Sequence, residues 1–153
     1  WMPLSPVFTR DCGGRLNFID EATTGLDPVV RDEILDMFLD FIQDEEHSIF
    51  FSSHIISDIE KIADYVILIH QGKIVFEEEK DTLIYQYGII RCEKKQFAEI
   101  QPEDYIISRK TNVSMECLVR DKEAARRKYK NIVVDSASLE EIMLFYIKGG
   151  SEE

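Results

Sequence analysis

Residues 15–27 read Arg-Leu-Asn-Phe-Ile-Asp-Glu-Ala-Thr-Thr-Gly-Leu-Asp, and the rest of the chain is interpreted outward from them. An apolar run ends in two adjacent carboxylates, Asp20 and Glu21. A Thr/Gly turn follows, and Asp27-Pro28 then opens a long helical pattern. Asp27 is a good N-cap, and Pro28 sits where the first helical residue needs no N–H partner. An acidic pair at the mouth of a buried strand can hold Mg²⁺ and orient a water, the chemistry of phosphoryl transfer. Taken alone, Asp-Glu reads first as a strand followed by a polar turn.

The pair does not stand alone. Asp20-Glu21-Ala22-Thr23-Thr24-Gly25-Leu26-Asp27-Pro28, with Ser52-Ser53-His54 ending the next apolar run, resembles the ATP-binding subunits of ABC transporters. In that family the strand and its Asp-Glu form the Walker B motif, Gly-Leu-Asp is the D-loop and the His is the switch histidine. The resemblance runs from Leu16 to Gly149 and is of the exporter type, because tails of that group also tend to end in a Leu-Glu-Glu-Ile-Met-like helix, here Leu139–Met143. It implies ATP and Mg²⁺ as cofactors, with Asp20 on the metal, Glu21 as general base and His54 on the γ-phosphate. Gly25, Leu26 and Asp27 would line an interface with a second ATPase subunit, identical or not. A transmembrane permease would be the other partner, which places the protein in the cytoplasm at the inner face of the cell membrane.

Two family motifs are not in the sequence. There is no G-x-x-x-x-G-K-[ST] to cradle phosphates. There is also no Leu-Ser-Gly-Gly-Gln signature: Leu4-Ser5 runs into Pro6, and Gly13-Gly14 lies too close to Asp20. The expectation is therefore a C-terminal part of an ATPase, inactive alone. The alternative is a non-catalytic interaction or assembly module derived from one. A response-regulator-like acidic pocket is a third reading, and Thr-Gly-Leu-Asp-Pro is not part of its pattern.

Composition supports one ordinary domain, or part of one with a small appendage: 153 residues, 44% of them hydrophobic. A net charge of −12 argues against nucleic-acid binding, which depends on Lys and Arg neutralising phosphates. Cys12, Cys92 and Cys117 are odd in number and widely spaced, against a disulfide or metal framework. No apolar run approaches the roughly 18 residues that span a bilayer. No secretory signal is recognisable either. Arg120–Lys130 breaks the acidic pattern with six basic residues against two acidic ones. It reads as the solvated face of a helix or as a contact for an acidic partner or anionic headgroups.

Four segments are expected. Residues 1–14 form an irregular lead-in, 15–88 a partial ATPase cassette, 89–149 a small α+β accessory domain and 150–153 a tail. The fold class is α/β, the C-terminal part of a P-loop NTPase-like, mostly parallel sheet flanked by helices. Val30, Ile34, Met37, Phe38, Phe41 and Ile42 mark the core face of the helix after Asp27. Ser48–Ser52 is the next buried strand, although Asn17 departs from the all-apolar run expected of its neighbour. Ile55, Ile59 and Ile62 give the next helix its apolar face. Tyr65–His70 and Lys73–Glu77 form a hairpin through Gln71-Gly72, and Asp81–Tyr87 a short helix stopped by Gly88. His47 and His70 read as surface residues.

Beyond Gly88, strands are expected near Ile89–Cys92, Tyr105–Ser108, Met115–Val119 and Ile132–Val134. Helices are expected near Gln96–Ile100, Lys122–Tyr129 and Ser138–Lys148, the last opened by a Ser138/Glu141 capping box.

Overall fold

The computed structural model describes residues 6–8 and 15–149, and the chain divides into two compact units, 1–80 and 81–153. The division falls at the start of the helix that was expected to close the cassette, eight residues before the expected boundary at 88/89.

The first unit holds a five-stranded sheet ordered β2-β3-β1-β4-β5. Its strands are β1 (Pro6–Phe8), β2 (Arg15–Asp20), β3 (His47–Ser52), β4 (Tyr65–His70) and β5 (Lys73–Glu79). Among the described residues, only β2 and β3 form a parallel pair, joined by α1 (Pro28–Ile42) as a βαβ crossover. The expected mostly parallel sheet is not what the adjacent pairs show. β1 lies antiparallel between β3 and β4, and the two-residue turn at Gln71-Gly72 makes β4 and β5 antiparallel by necessity. At that turn φ is +50° for Gln71 and +75° for Gly72, the left-handed pair of a type I′ hairpin. The strand at Pro6–Phe8 also corrects the irregular lead-in over those three residues; the remainder of 1–14 and residues 150–153 lie outside the described residues.

β2 is an edge strand rather than a strand buried on both faces. Leu16 is 44% and Phe18 72% exposed, which is why Asn17 is tolerated beside them. The helix behind it is similarly open. In α1 only Leu35 is buried, while Val30 and Met37 of the expected core face are exposed. The core of this unit is Leu35, Ile49, Phe51, Ile59, Ile62, Val66 and Leu68. Lys61 of α2 (Ile56–Ile62) spans to Asp32 and Asp36 of α1 at 2.6 and 2.7 Å, and those two bonds raise its pKa. His47 is half-buried, not a free surface residue: its ring stacks on Phe41 at 4.3 Å.

The second unit holds α3 (Lys80–Tyr85) from its second residue on and carries β6 (Gly88–Cys92), α4 (Lys94–Phe97), β7 (Ile107–Lys110), β8 (Met115–Val119), α5 (Lys122–Lys128), β9 (Val133–Ser136) and α6 (Leu139–Lys148). Its sheet is ordered β7-β8-β6-β9, with every neighbouring pair antiparallel. From β6 to β9 this is the split βαβ, ferredoxin-like plan, with α6 added. All five residues of β8 are buried because both sheet faces are covered. One face meets Ala125 and Tyr129 of α5 around Ile90, Cys117 and Val134. The other faces α6, where Leu139, Ile142 and Phe145 are fully buried along with Ile89 and Leu118. Ser138 and Glu141 form the expected capping box.

The basic stretch is largely engaged within this unit. Arg126 pairs with Glu123 at 2.5 Å and donates to the Val134 carbonyl, and Lys128 pairs with Asp104 at 2.6 Å.

Candidate functional site

The parallel register sets the ends of β2 and β3 level, with Asp20 opposite Ser52. Ser52 Oγ donates to Asp20 Oδ1. The Glu21 amide donates back to the Ser52 carbonyl at 3.1 Å and lies 3.2 Å from Ser52 Oγ. Ser52 thus touches both residues of the acidic pair from the neighbouring strand. The chain turns sharply at Glu21, whose φ is +49°, a region that non-glycine residues seldom adopt. Such a backbone persists where its surroundings hold it, and it occurs preferentially at functional sites.

The turn is closed by Thr24 N to Glu21 O at 3.2 Å and Leu26 N to Thr23 O at 3.4 Å, with Gly25 at φ +76°. Asp27 then caps α1, its Oδ1 accepting from Val29 N at 2.9 Å. Gly25, Leu26 and Asp27 are all exposed.

His54 follows β3 by two residues and meets the acidic turn: Nδ1 lies 2.7 Å from Glu21 Oε2. Thr24 Oγ1 donates to the same oxygen at 2.5 Å. The structure therefore brings Asp20, Glu21 and His54 to one strand-end cluster and puts Gly25, Leu26 and Asp27 on the adjoining exposed turn. Three partners escaped the sequence reading: Ser52, Thr24 and Thr23, the last bound to Asp58. Ser52 stood in the quoted Ser-Ser-His, and its role follows from register, which sequence does not give.

Among the described residues, no group of three or more His, Cys, Asp or Glu side chains could hold a metal by itself. Asp20, with Glu21 beside it, fits Mg²⁺ in a different manner. That ion keeps several waters and is usually bound by one or two carboxylates together with substrate phosphates. No helix among the described residues is long and apolar enough to cross a membrane.

No protein-family model matches the chain. Curated relatives do. The lantibiotic transport ATP-binding protein SrtF of Streptococcus pyogenes is 40% identical over 67 residues, which is 44% of this chain and 29% of SrtF. The bacitracin transport ATP-binding protein BcrA of Bacillus licheniformis is 40% identical over 68 residues, covering 44% of this chain and 22% of BcrA. The ABC transporter ATP-binding protein NatA of Bacillus subtilis is 36% identical over 64 residues, 42% of this chain and 26% of NatA. The matched part thus spans under a third of each relative, and the likeness covers less of this chain than the expected reach from Leu16 to Gly149.

Proposed function

We propose, from a chain that carries part of an ABC transporter ATPase domain, that it supplies the water-activating half of an ATP-hydrolysing site in an exporter's ATP-binding subunit. One observation carries the reading: Glu21 and His54, distant in sequence, are hydrogen-bonded at 2.7 Å beside Asp20. In this site Asp20 would hold Mg²⁺, which would offset charge on the phosphates. Glu21 accepts the proton of the attacking water, a role that suits a carboxylate held within hydrogen-bond reach. His54 turns from Glu21 toward the γ-phosphate, and the exposed Gly25-Leu26-Asp27 turn meets a second ATPase subunit. The backbone amides and lysine that cradle phosphates in this fold class are not among these 153 residues, so the chain alone does not turn ATP over.

The exposed apolar residues of β2 and α1 support the same view. Leu16, Phe18, Val29, Val30 and Met37 are all exposed in one unit. The remainder of an ATPase cassette is the natural cover. The second unit is an accessory domain, and the whole sits in the cytoplasm against a transmembrane permease.

The deciding experiment assembles this chain with the phosphate-loop part of a related ATP-binding protein and measures Mg²⁺-dependent hydrolysis. The expected result is turnover that Glu21→Gln abolishes while ATP stays bound. Normal hydrolysis by Glu21→Gln overturns the assignment. The second reading is a non-catalytic assembly module. It predicts an assembled complex that forms but hydrolyses nothing.

A further inference from the structure

Asp58 is a buried carboxylate that the proposed chemistry does not use. It lies in the first turn of α2, four residues after His54, and is 1% exposed. Its Oδ2 accepts from Thr23 Oγ1 at 2.5 Å. Its Oδ1 faces Arg31 Nε at 3.3 Å as an ion pair, without the geometry of a hydrogen bond. Burying a carboxylate is unfavourable unless it is paired and hydrogen-bonded, so its place here calls for a physical reason.

The reason lies in what the three partners join. Thr23 belongs to the turn between Glu21 and Asp27. Arg31 belongs to the first turn of α1, its amide bonded to the Asp27 carbonyl at 2.9 Å. Asp58 belongs to the helix that follows His54. Two cross-links therefore connect the acidic turn to the start of α2. The outer one, Glu21–His54, is open to solvent, with side chains 31% and 49% exposed. The inner one, Thr23–Asp58, is buried. On the reading given under Proposed function, the outer link must open for Glu21 to take a proton and for His54 to reach a phosphate. The inner link has no partner to exchange.

We propose that Asp58 is the positioning residue of this site. It holds the Glu21–Asp27 turn in register with α2 and α1 while the Glu21–His54 pair opens and re-forms. Asp58 touches neither water nor phosphate and acts only through Thr23 and Arg31. A carboxylate with purely structural duty loosens its whole unit when removed. A positioning carboxylate loosens the turn first, since sub-global opening follows the contacts that hold each segment.

The test uses the whole 153-residue chain and no nucleotide. Thr23→Val removes the hydroxyl at nearly constant shape, and Asp58→Asn removes the charge. Amide exchange is followed by NMR at Thr24 and Leu26 in the turn and at Val66 and Leu68 in β4. The His54 ring nitrogens report the outer link. The expected result for Thr23→Val is exchange at least about tenfold faster at Thr24 and Leu26, unchanged protection in β4 and a displaced His54 Nδ1 signal. Asp58→Asn shifts the same signals, and Thr23→Ser, which keeps the hydroxyl, restores them. Unchanged turn and His54 signals in Thr23→Val overturn the proposal. Equal acceleration in the turn and β4, or loss of the fold, also overturns it, since that is a merely structural role. Hydrolysis by Glu21→Gln in the assembled enzyme would remove the catalytic reading and leave these signals as they are, so the two failures are distinguishable.

Discussion

His54 Nδ1 lies 2.7 Å from Glu21 Oε2 across 33 residues of chain, and the contact is a product of strand register. Because Asp20 is level with Ser52, the residues just past the two strand ends come within reach of each other. The consequence is a site made by two strands and held open to solvent.

An exposed pair of this kind contributes little to stability, and on the proposed reading its weight lies in the chemistry. His54→Ala in this chain is expected to change the unfolding free energy by less than about 1 kcal/mol, read from urea denaturation. On the proposed reading, the same substitution in the assembled ATPase is expected to lower turnover sharply, and Glu21→Gln to lower it by at least about 10²–10⁴-fold. A large stability loss with unaltered turnover would reverse the roles given to the pair.

Nucleotide binding by the isolated chain follows from its charge. Asp20 and Glu21 would face an anion without the lysine and amide cradle that normally offset them. Calorimetric titration with Mg-ATP is expected to give a dissociation constant weaker than about 1 mM. Micromolar affinity would mean that another part of the chain binds phosphate.

How much of this was legible from sequence depends on the range of the interaction. Local signals held: Asp27 caps α1, Gln71-Gly72 makes the tight turn, and Ser138 with Glu141 boxes the start of α6. Residue-to-residue periodicity was misleading on α1 and β2. The apolar stripe on α1 and the run in β2 both suggested burial, yet Met37 and Phe18 are exposed. Periodicity says which residues share a face, not what covers it. Strand direction was equally out of reach: nothing in Pro6–Phe8 announces a strand lying antiparallel between β3 and β4. The recurrent pattern pointed to Asp20, Glu21 and His54, and the structure brings these three together at the strand ends. Ser52, Thr23 and Asp58 became visible only once register and helix placement were known.

The thiols of the second unit should be inert until it unfolds. Cys92 and Cys117 are both buried and free. Burial first, then the neighbouring Cys92 and Glu116, push the Cys117 thiol up to about 12, and burial likewise raises Cys92. The nucleophile is the thiolate, so iodoacetamide at pH 8 is expected to modify neither residue in the native chain and both in denaturant. The sign of the pH effect follows. The folded state favours the neutral thiol, so its contribution is complete below the unfolded pKa and is lost as pH rises from about 9 toward 12. Urea midpoints of the second unit should fall across that range, less steeply in Cys117→Ala.

Two glycines separate conformational from steric cost. At Gly72 φ is +75° and nothing lies within 4 Å of an added Cβ, so Gly72→Ala meets only the left-handed backbone penalty, about 1–2 kcal/mol. Asn, which tolerates that conformation, should recover most of the loss. At Gly88 an added Cβ would stand 2.6 Å from Lys122 Cβ and 2.8 Å from the Asp135 carbonyl. β6 is an inner strand, paired with β8 and β9, and Asp135 lies in the β9 ladder, so the carbonyl cannot yield without disturbing that pairing. Gly88→Ala is expected to lower the stability of the second unit by about 1–3 kcal/mol through overpacking, and Asn at the same position by at least as much. Urea denaturation of the four variants decides it. Recovery by Asn at Gly72 but not at Gly88 is the expected pattern, and recovery at both would mean that β6 and β9 separate readily at that end.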